Sequence, residues 1–332
     1  MELTSAVGLV FLLVAVVAIG LAATWASKER VRNPFSERDL LKKGMDLPVI
    51  WLYYDTSEVN SRWWFDFGAR SSRALNVPFL NLCYETVVAQ NGQTYRVEVI
   101  DGLTGVAALL GGWDAVPPGI RNPLAPINAA EKMWIRSAVL AKYGGLWLDL
   151  STVCLKPFGE LPKDRVVFFG TDLDETYSGR EGTQMPGFRC LWSPVPNHPL
   201  FVEWEQICRD RVDRRRGGQQ IRGDDKWDWV ALTAKYPGTV VDAPAEVGRK
   251  KDGRRIQLED LLAAGQDGAM SFEVSPQAKY IPVPWTELRD REMFGWFLRM
   301  SERQILTSDL TITWLLHKGL EEHRTAPLPA RE

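Results

Sequence analysis

Asp149 and Ser151 stand two positions apart in "GGLWLDLS" (residues 144–151), and their side chains are of the types that hold a hard cation. A carboxylate and a neutral hydroxyl oxygen suit Mg²⁺ or Mn²⁺, which complete their shells with water and substrate phosphates. A cation held there would neutralise a diphosphate leaving group. Upstream of the glycines, Arg136 adds a guanidinium that can pair with Asp149 or with phosphate oxygens. Each residue also has a plainer use. A lone aspartate at a strand end serves more often as a cap or an ion-pair partner, and Arg136, near Lys132, equally suits an exposed helix face.

The elements that must position these residues are legible. "NAAEKMWIRSAVLAKYGG" (residues 128–145) reads as a helix in which Asn128 caps the start and Glu131 completes a capping box. Gly144, in a left-handed conformation, ends it. "LWLDL" is then a strand reached by an immediate turn. Its alternation puts Leu146, Leu148 and Leu150 on one face and Trp147, Asp149 and Ser151 on the other. Asp149 thus falls near the strand's C-terminal end, where open α/β sheets bind ligands. Before it, "LPVIWLYYD" (47–55) reads as a buried first strand, "SRWWFDFGARSSRAL" (61–75) as a helix, and "VPFLNLCY" and "TYRVEVI" as strands. "GGWDAVPPGIRNPLAP" (111–126) is a loop by its glycines and prolines. After it, "RVVFFGTD", "FRCLWSP", "TVVDAP" and "AKYIPVP" read as strands. "HPLFVEWEQICRDRVDRRR", "DDKWDWVALTAKY" and "IQLEDLLAAG" read as helices, the first ending in a solvated basic turn. Strands alternating with helices predict an α/β fold spanning residues 47–322, with 323–332 as a tail.

Composition excludes several classes. The 332 residues can bury a sizeable core. With 40 basic against 42 acidic residues, the net charge of -2 provides no field for a phosphate backbone, so no nucleic-acid partner is expected. Cys83, Cys154, Cys190 and Cys208 show no metal-ligand spacing and no disulfide pattern, and read as core thiols. Most of the 14 tryptophans are expected in the core, though tryptophan also suits sugar and nucleotide stacking. Residues 6–26 carry no charge and make a helix of roughly 30 Å, the thickness of a bilayer core, so residues 1–27 are expected to anchor the chain in a membrane as a single pass. A cleaved signal peptide would want a basic start, and "MELTS" has none. The following stretch, 28–46, is a basic juxtamembrane linker, which favours a cytoplasmic domain.

"EKMWIRSAVLAKYGGLWLDLSTVCLKPF" (residues 131–158) resembles the signature of the capsular polysaccharide synthesis glycosyltransferases and the related glycosyltransferase family 32, both DXD-type sugar transferases. Arg136 matches their helix arginine, Tyr143, Gly144 and Gly145 their turn, Leu146 to Leu148 their strand, and Asp149 the first acid. "VIWLYYDT" and "SPVPNHPLF" are similar to the family's first strand and later His-Pro segment, so the likeness runs from about Val49 to Leu200. Met133 stands where the family has a helix aspartate. Ser151 stands at the third position of the acid motif, where a hydroxyl is familiar in the capsular subgroup.

The resemblance implies a GT-A-like nucleotide-sugar-binding domain with a mixed, mostly parallel sheet. It implies a transferase that moves a sugar, with retention, from a nucleotide-sugar donor to a glycan or lipid-linked acceptor, here on the membrane anchor expected from residues 1–27. Mn²⁺ or Mg²⁺ would be held by Asp149 and Ser151. The donor would lie against Tyr54, Asp55, Arg136, Gly144 and Gly145, with Asp149 and Arg136 catalytic. Eukaryotic members work in the Golgi lumen, the alternative to a cytoplasmic domain. Asp172, Asp174 and Glu175 are candidate acceptor-site acids in what otherwise reads as a polar loop, and His198 is a candidate acceptor contact or a helix-start residue. Met133 and Ser151 also motivate a rival, a catalytically degenerate relative that binds glycan or scaffolds a membrane assembly. A metal-dependent phosphoester hydrolase is poorly served by His198, His317 and His323 alone.

Overall fold

Strand β1 (Val49–Tyr54) is buried on both faces and lies, among the described residues, within a six-stranded sheet of order β2 (Arg96–Asp101), β1, β3 (Gly145–Leu148), β6 (Cys190–Ser193), β5 (Val166–Phe168), β7 (Val240–Asp242). The computed structural model describes residues 47–55, 77–122, 125, 127–170, 187–216, 225–265, 270 and 272–325. β2 (Arg96–Asp101) and β3 (Gly145–Leu148) flank β1, both parallel to it. β4 (Thr152–Cys154) leaves this sheet for an antiparallel pair with β8 (Tyr280–Pro282). β5 (Val166–Phe168) and β6 (Cys190–Ser193) run antiparallel to each other, β6 closes on β3 antiparallel, and β7 (Val240–Asp242) lies parallel to β5. The architecture is α/β with a mixed, mostly parallel sheet.

Parallel neighbours need crossovers. Helix α1 (Val77–Asn91) separates β1 from β2, and α2 (Gly102–Leu110) and α3 (Ala129–Tyr143) separate β2 from β3. On one face Trp51 enters a core with Trp134 and Leu140 of α3, Trp147 of β3, and Phe201 and Trp204 of α4 (Pro199–Arg216). Trp229 of α5 (Asp225–Lys235) packs on Trp204 with ring centroids 4.6 Å apart, so these tryptophans are core. C-terminal to them come α6 (Leu258–Leu262), α7 (Trp285–Asp290), α8 (Glu302–Thr307) and α9 (Thr311–Thr325). α9 lies against α1, where Gln90 donates to the Gly319 carbonyl at 2.7 Å; a Cβ on Gly319 would sit 2.4 Å from the Cys154 carbonyl oxygen. All four cysteines are buried, and none is in a disulfide.

"VPFLNLCY" is helix α1 and not a strand. The eight residues contain almost no polar side chain, and Phe79 through Tyr84 are all buried. A helix that is buried all round has no period to display, so a short apolar run cannot distinguish it from a central strand. The α3 boundaries agree with the expectation: Asn128 and Glu131 form the reciprocal capping box, and the helix stops at the glycine pair. Gly144 differs in detail. Its φ of 65° is positive, but ψ of -157° lies outside the left-handed helical well, in a region essentially confined to glycine. Within the loop of residues 111–126, Trp113–Ala115 and Pro118–Ile120 form short 3₁₀ turns.

Among the described residues no helix is long and apolar enough to cross a membrane. The apolar run 6–26, the linker 28–46 and the expected helix 61–75 lie outside them, as do Asp172, Asp174 and Glu175.

Candidate active site

β1, β2 and β3 are parallel neighbours, and the residues at their C-terminal ends are acids. Asp101 ends β2, Asp55 follows β1 and Asp149 follows β3. Helix α3 runs across two of them. Lys132 and Arg136, four apart, share one helix face. The Lys132 ammonium lies 3.3 Å from Asp55 Oδ2, and Arg136 Nη2 donates to Asp149 Oδ1 at 2.8 Å. One helix thus sets two cations against the ends of two adjacent strands.

Arg136 is held from all sides. It is 6% exposed, Nη1 contacts the Met133 sulfur at 3.2 Å, and the guanidinium sits 5.4 Å from the Trp147 ring centre and 5.3 Å from that of Phe188. Its Nε is buried and has no hydrogen-bond partner. Met133 therefore supplies a soft thioether contact where the resembled family supplies a carboxylate. Trp147 Nε1 also donates to Asp149 Oδ1, at 3.2 Å, which agrees with the expected sharing of a strand face. Both of these contacts fall on Oδ1. The other oxygen, on a side chain 32% exposed, accepts no hydrogen bond among the described residues.

The remaining predicted residues are distributed as follows. Ser151 donates from Oγ to the Val283 carbonyl at 3.2 Å, and its own carbonyl accepts from Val283 N at 2.8 Å, so it prolongs the β4–β8 ladder while keeping its oxygen lone pairs. Tyr54 is buried in the core, on the strand face opposite Trp51 and Tyr53. Tyr53, its neighbour, stacks on Trp147 at 6.4 Å and so lies on the face of Asp149. Gly144 and Gly145 are at the other end of β3 from Asp149. Gly144 offers its carbonyl to Trp51 Nε1 at 2.8 Å, and a Cβ on Gly145 would sit 2.7 Å from the Val49 carbonyl oxygen. These glycines permit a turn and a close strand approach. His198 accepts from Leu200 N through Nδ1 at 3.3 Å at the start of α4, and burial lowers its pKa.

Asp101 and Lys132 were not singled out from sequence as site residues. The signal for Asp101 is present in "VEVIDG", an acid at the end of an alternating strand, as Asp149 is, with a glycine after it where Asp149 has Leu150. Its Oδ1 is buried without a hydrogen-bond partner, and desolvation raises its pKa. The folded chain therefore binds the Asp101 proton over a pH range in which the unfolded chain has released it. Its effect is a stability that falls as pH rises from the ordinary value of 3.8 through the raised folded value, and that stays lower above it. Asp101→Asn is expected to raise the urea midpoint at neutral pH and to lose that advantage in acid. An unchanged or lower midpoint at neutral pH would mean that the carboxylate is compensated in the folded chain.

As ligands for a divalent cation, Asp149 and Ser151 bring one carboxylate and one hydroxyl, and the described residues contain no group of three or more acidic, His or Cys side chains fit to hold a metal. Such a donor set fits a hard cation that takes most of its ligands from a bound diphosphate and water. No family model matches this sequence, and a search of curated proteins finds no significant match.

Proposed function

We propose that the chain is a membrane-anchored glycosyltransferase of GT-A-like fold, moving a sugar from a nucleotide-sugar donor to a glycan or lipid-linked acceptor. The observation that carries this reading is the Asp149–Arg136 pair at the carboxyl edge of three parallel strands, with one carboxylate oxygen left for a ligand. That edge is where open α/β sheets take nucleotides.

The pairing has a mechanistic reading. Lys132 and Arg136 are engaged with Asp55 and Asp149, so the strand ends are locally neutralised. A donor diphosphate competes for both cations, since a guanidinium prefers a bidentate oxyanion. Each cation that turns to phosphate frees carboxylate oxygen. Asp149 and Ser151 would then hold Mn²⁺ or Mg²⁺ together with the diphosphate, and the ion supplies charge neutralisation of the leaving group. Tyr53, half-buried and backed by the core ring of Trp147, offers an aromatic surface beside the acid. Asp55, at the end of β1, suits a ribose hydroxyl.

The test is calorimetric titration of the full-length chain, in detergent, with UDP- and GDP-sugars with and without Mn²⁺. Metal-dependent binding of one nucleotide-sugar is expected. If a folded chain binds none, the transferase reading fails. The rival then leads, a non-catalytic relative that binds glycan, favoured by the Met133 contact to Arg136.

A further inference from the structure

A cluster of arginines lies one strand away from Asp149. A cavity of about 80 Å³ is lined by Arg189, Arg249 and Arg255 together with Tyr280 and the backbone of Gly170 and Gly248, and by no acidic residue among the described ones. Asp149 N donates to the Arg189 carbonyl at 3.0 Å, extending the β3–β6 ladder by one residue pair, so the cavity begins one strand away from the candidate acid.

Arg249 and Arg255 face each other across an antiparallel bridge. Residues opposed in this way have Cβ atoms roughly 5 Å apart, and like charges there repel. They are also half-buried, whereas the four residues of the intervening turn, from Lys251 to Arg254 with Lys250 beside them, include an exposed run at Lys251, Asp252, Gly253 and Arg254. The turn thus has open solvent available, yet the two opposed arginines are the ones drawn into the cavity wall. Arg255 has a single weak tie, Nη2 to Glu287 at 3.6 Å, and Glu287 is shared with Arg291. A bound oxyanion would relieve the repulsion and give the weakly tied Arg255 guanidinium a partner in the fork geometry that suits phosphate.

We propose that this cavity is a phosphoryl-binding subsite and, resting on the transferase reading above, that it holds the phosphate of a phosphorylated acceptor beside the donor. The shared chemistry is a phosphate monoester, whether on a lipid or on a sugar.

The full-length chain in detergent is titrated with inorganic phosphate, dodecyl phosphate and mannose 6-phosphate, and separately with nucleotide-sugars. Saturable phosphate binding is expected, weakened about tenfold or more by Arg249→Gln/Arg255→Gln, as for loss of charge-assisted bonds. Arg254→Gln, in the exposed turn, removes one positive charge, as Arg255→Gln does, and is expected to leave it unchanged. If the double variant does not fold, Arg255→Gln alone carries the test. Preferential binding of dodecyl phosphate identifies a lipid source, and preferential binding of mannose 6-phosphate a sugar source. Absence of phosphate binding up to about 10 mM, or equal losses in Arg254→Gln and the double variant, overturns the subsite. Arginine-dependent phosphate binding without any nucleotide-sugar binding overturns the acceptor assignment and the transferase reading, while the subsite stands. Nucleotide-sugar binding without phosphate binding does the reverse.

Discussion

Asp149→Asn is expected to lower metal-dependent nucleotide-sugar turnover by about 10²-fold or more, the scale of removing one preorganised electrostatic contact to a reacting group. Asparagine keeps a carbonyl oxygen for Arg136 Nη2 and Trp147 Nε1, which both donate to Oδ1, so the local geometry has a reason to persist. What is lost is the charge on the exposed oxygen. The substitution also leaves the Arg136 guanidinium, 6% exposed, without its counter-charge. A fully buried pair broken in this way costs about 3–5 kcal/mol. Because Asp149 is 32% exposed, and two aromatic rings still cover the cation, a cost nearer 1–2 kcal/mol is expected. Activity and the denaturation midpoint should therefore be measured on the same preparation. Loss of turnover with a modest midpoint shift assigns Asp149 to the chemistry. Full turnover would remove Asp149 from the mechanism and leave it an ion-pair partner.

How much of this arrangement the sequence discloses depends on whether local chemistry or tertiary pairing decides each element. Helix α3 is marked at both ends by residues that act within a turn, the side chains of Asn128 and Glu131 at one and the backbone of Gly144 at the other, so its limits follow from local rules. Asp149 then falls at the end of the next strand by counting. α1 carries no such marks: the unbroken burial from Phe79 to Tyr84 erases the period, and only the neighbours that cover it, α9 among them, decide for helix. Lys132 is a similar case. Its spacing from Arg136 is visible, but the partner that gives it meaning, Asp55, is supplied by the register of β1 beside β3. The arginine-lined cavity depends on a bridge between Arg249 and Arg255 that a short, irregular, highly charged stretch does not announce. The sites at sheet ends were thus readable where a turn motif preceded them and hidden where strand order alone assembled them.

That distinction has its sharpest consequence at Gly145, which the resemblance assigns to the donor site and the structure sets at the start of β3. Its φ is 91°, and a Cβ would lie 2.7 Å from the Val49 carbonyl oxygen and 3.0 Å from Trp51 Nε1. Neither neighbour can yield cheaply, because Val49 is the first residue of β1 and Trp51 is fixed by its bond to the Gly144 carbonyl. Gly145→Ala is therefore expected to cost about 3 kcal/mol or more, from strain at positive φ and from forcing β1 and β3 apart. In a chain of this size that lowers the melting temperature by about 5–10 °C. Gly238→Ala is the control, since a Cβ there meets nothing within 4 Å. The two roles for Gly145 predict opposite patterns. A donor contact predicts weaker nucleotide-sugar affinity at unchanged melting temperature. A packing role predicts the lower melting temperature, with the affinity of the remaining folded molecules retained, because β3 separates the substitution from Asp149 by roughly 13 Å at about 3.3 Å per residue.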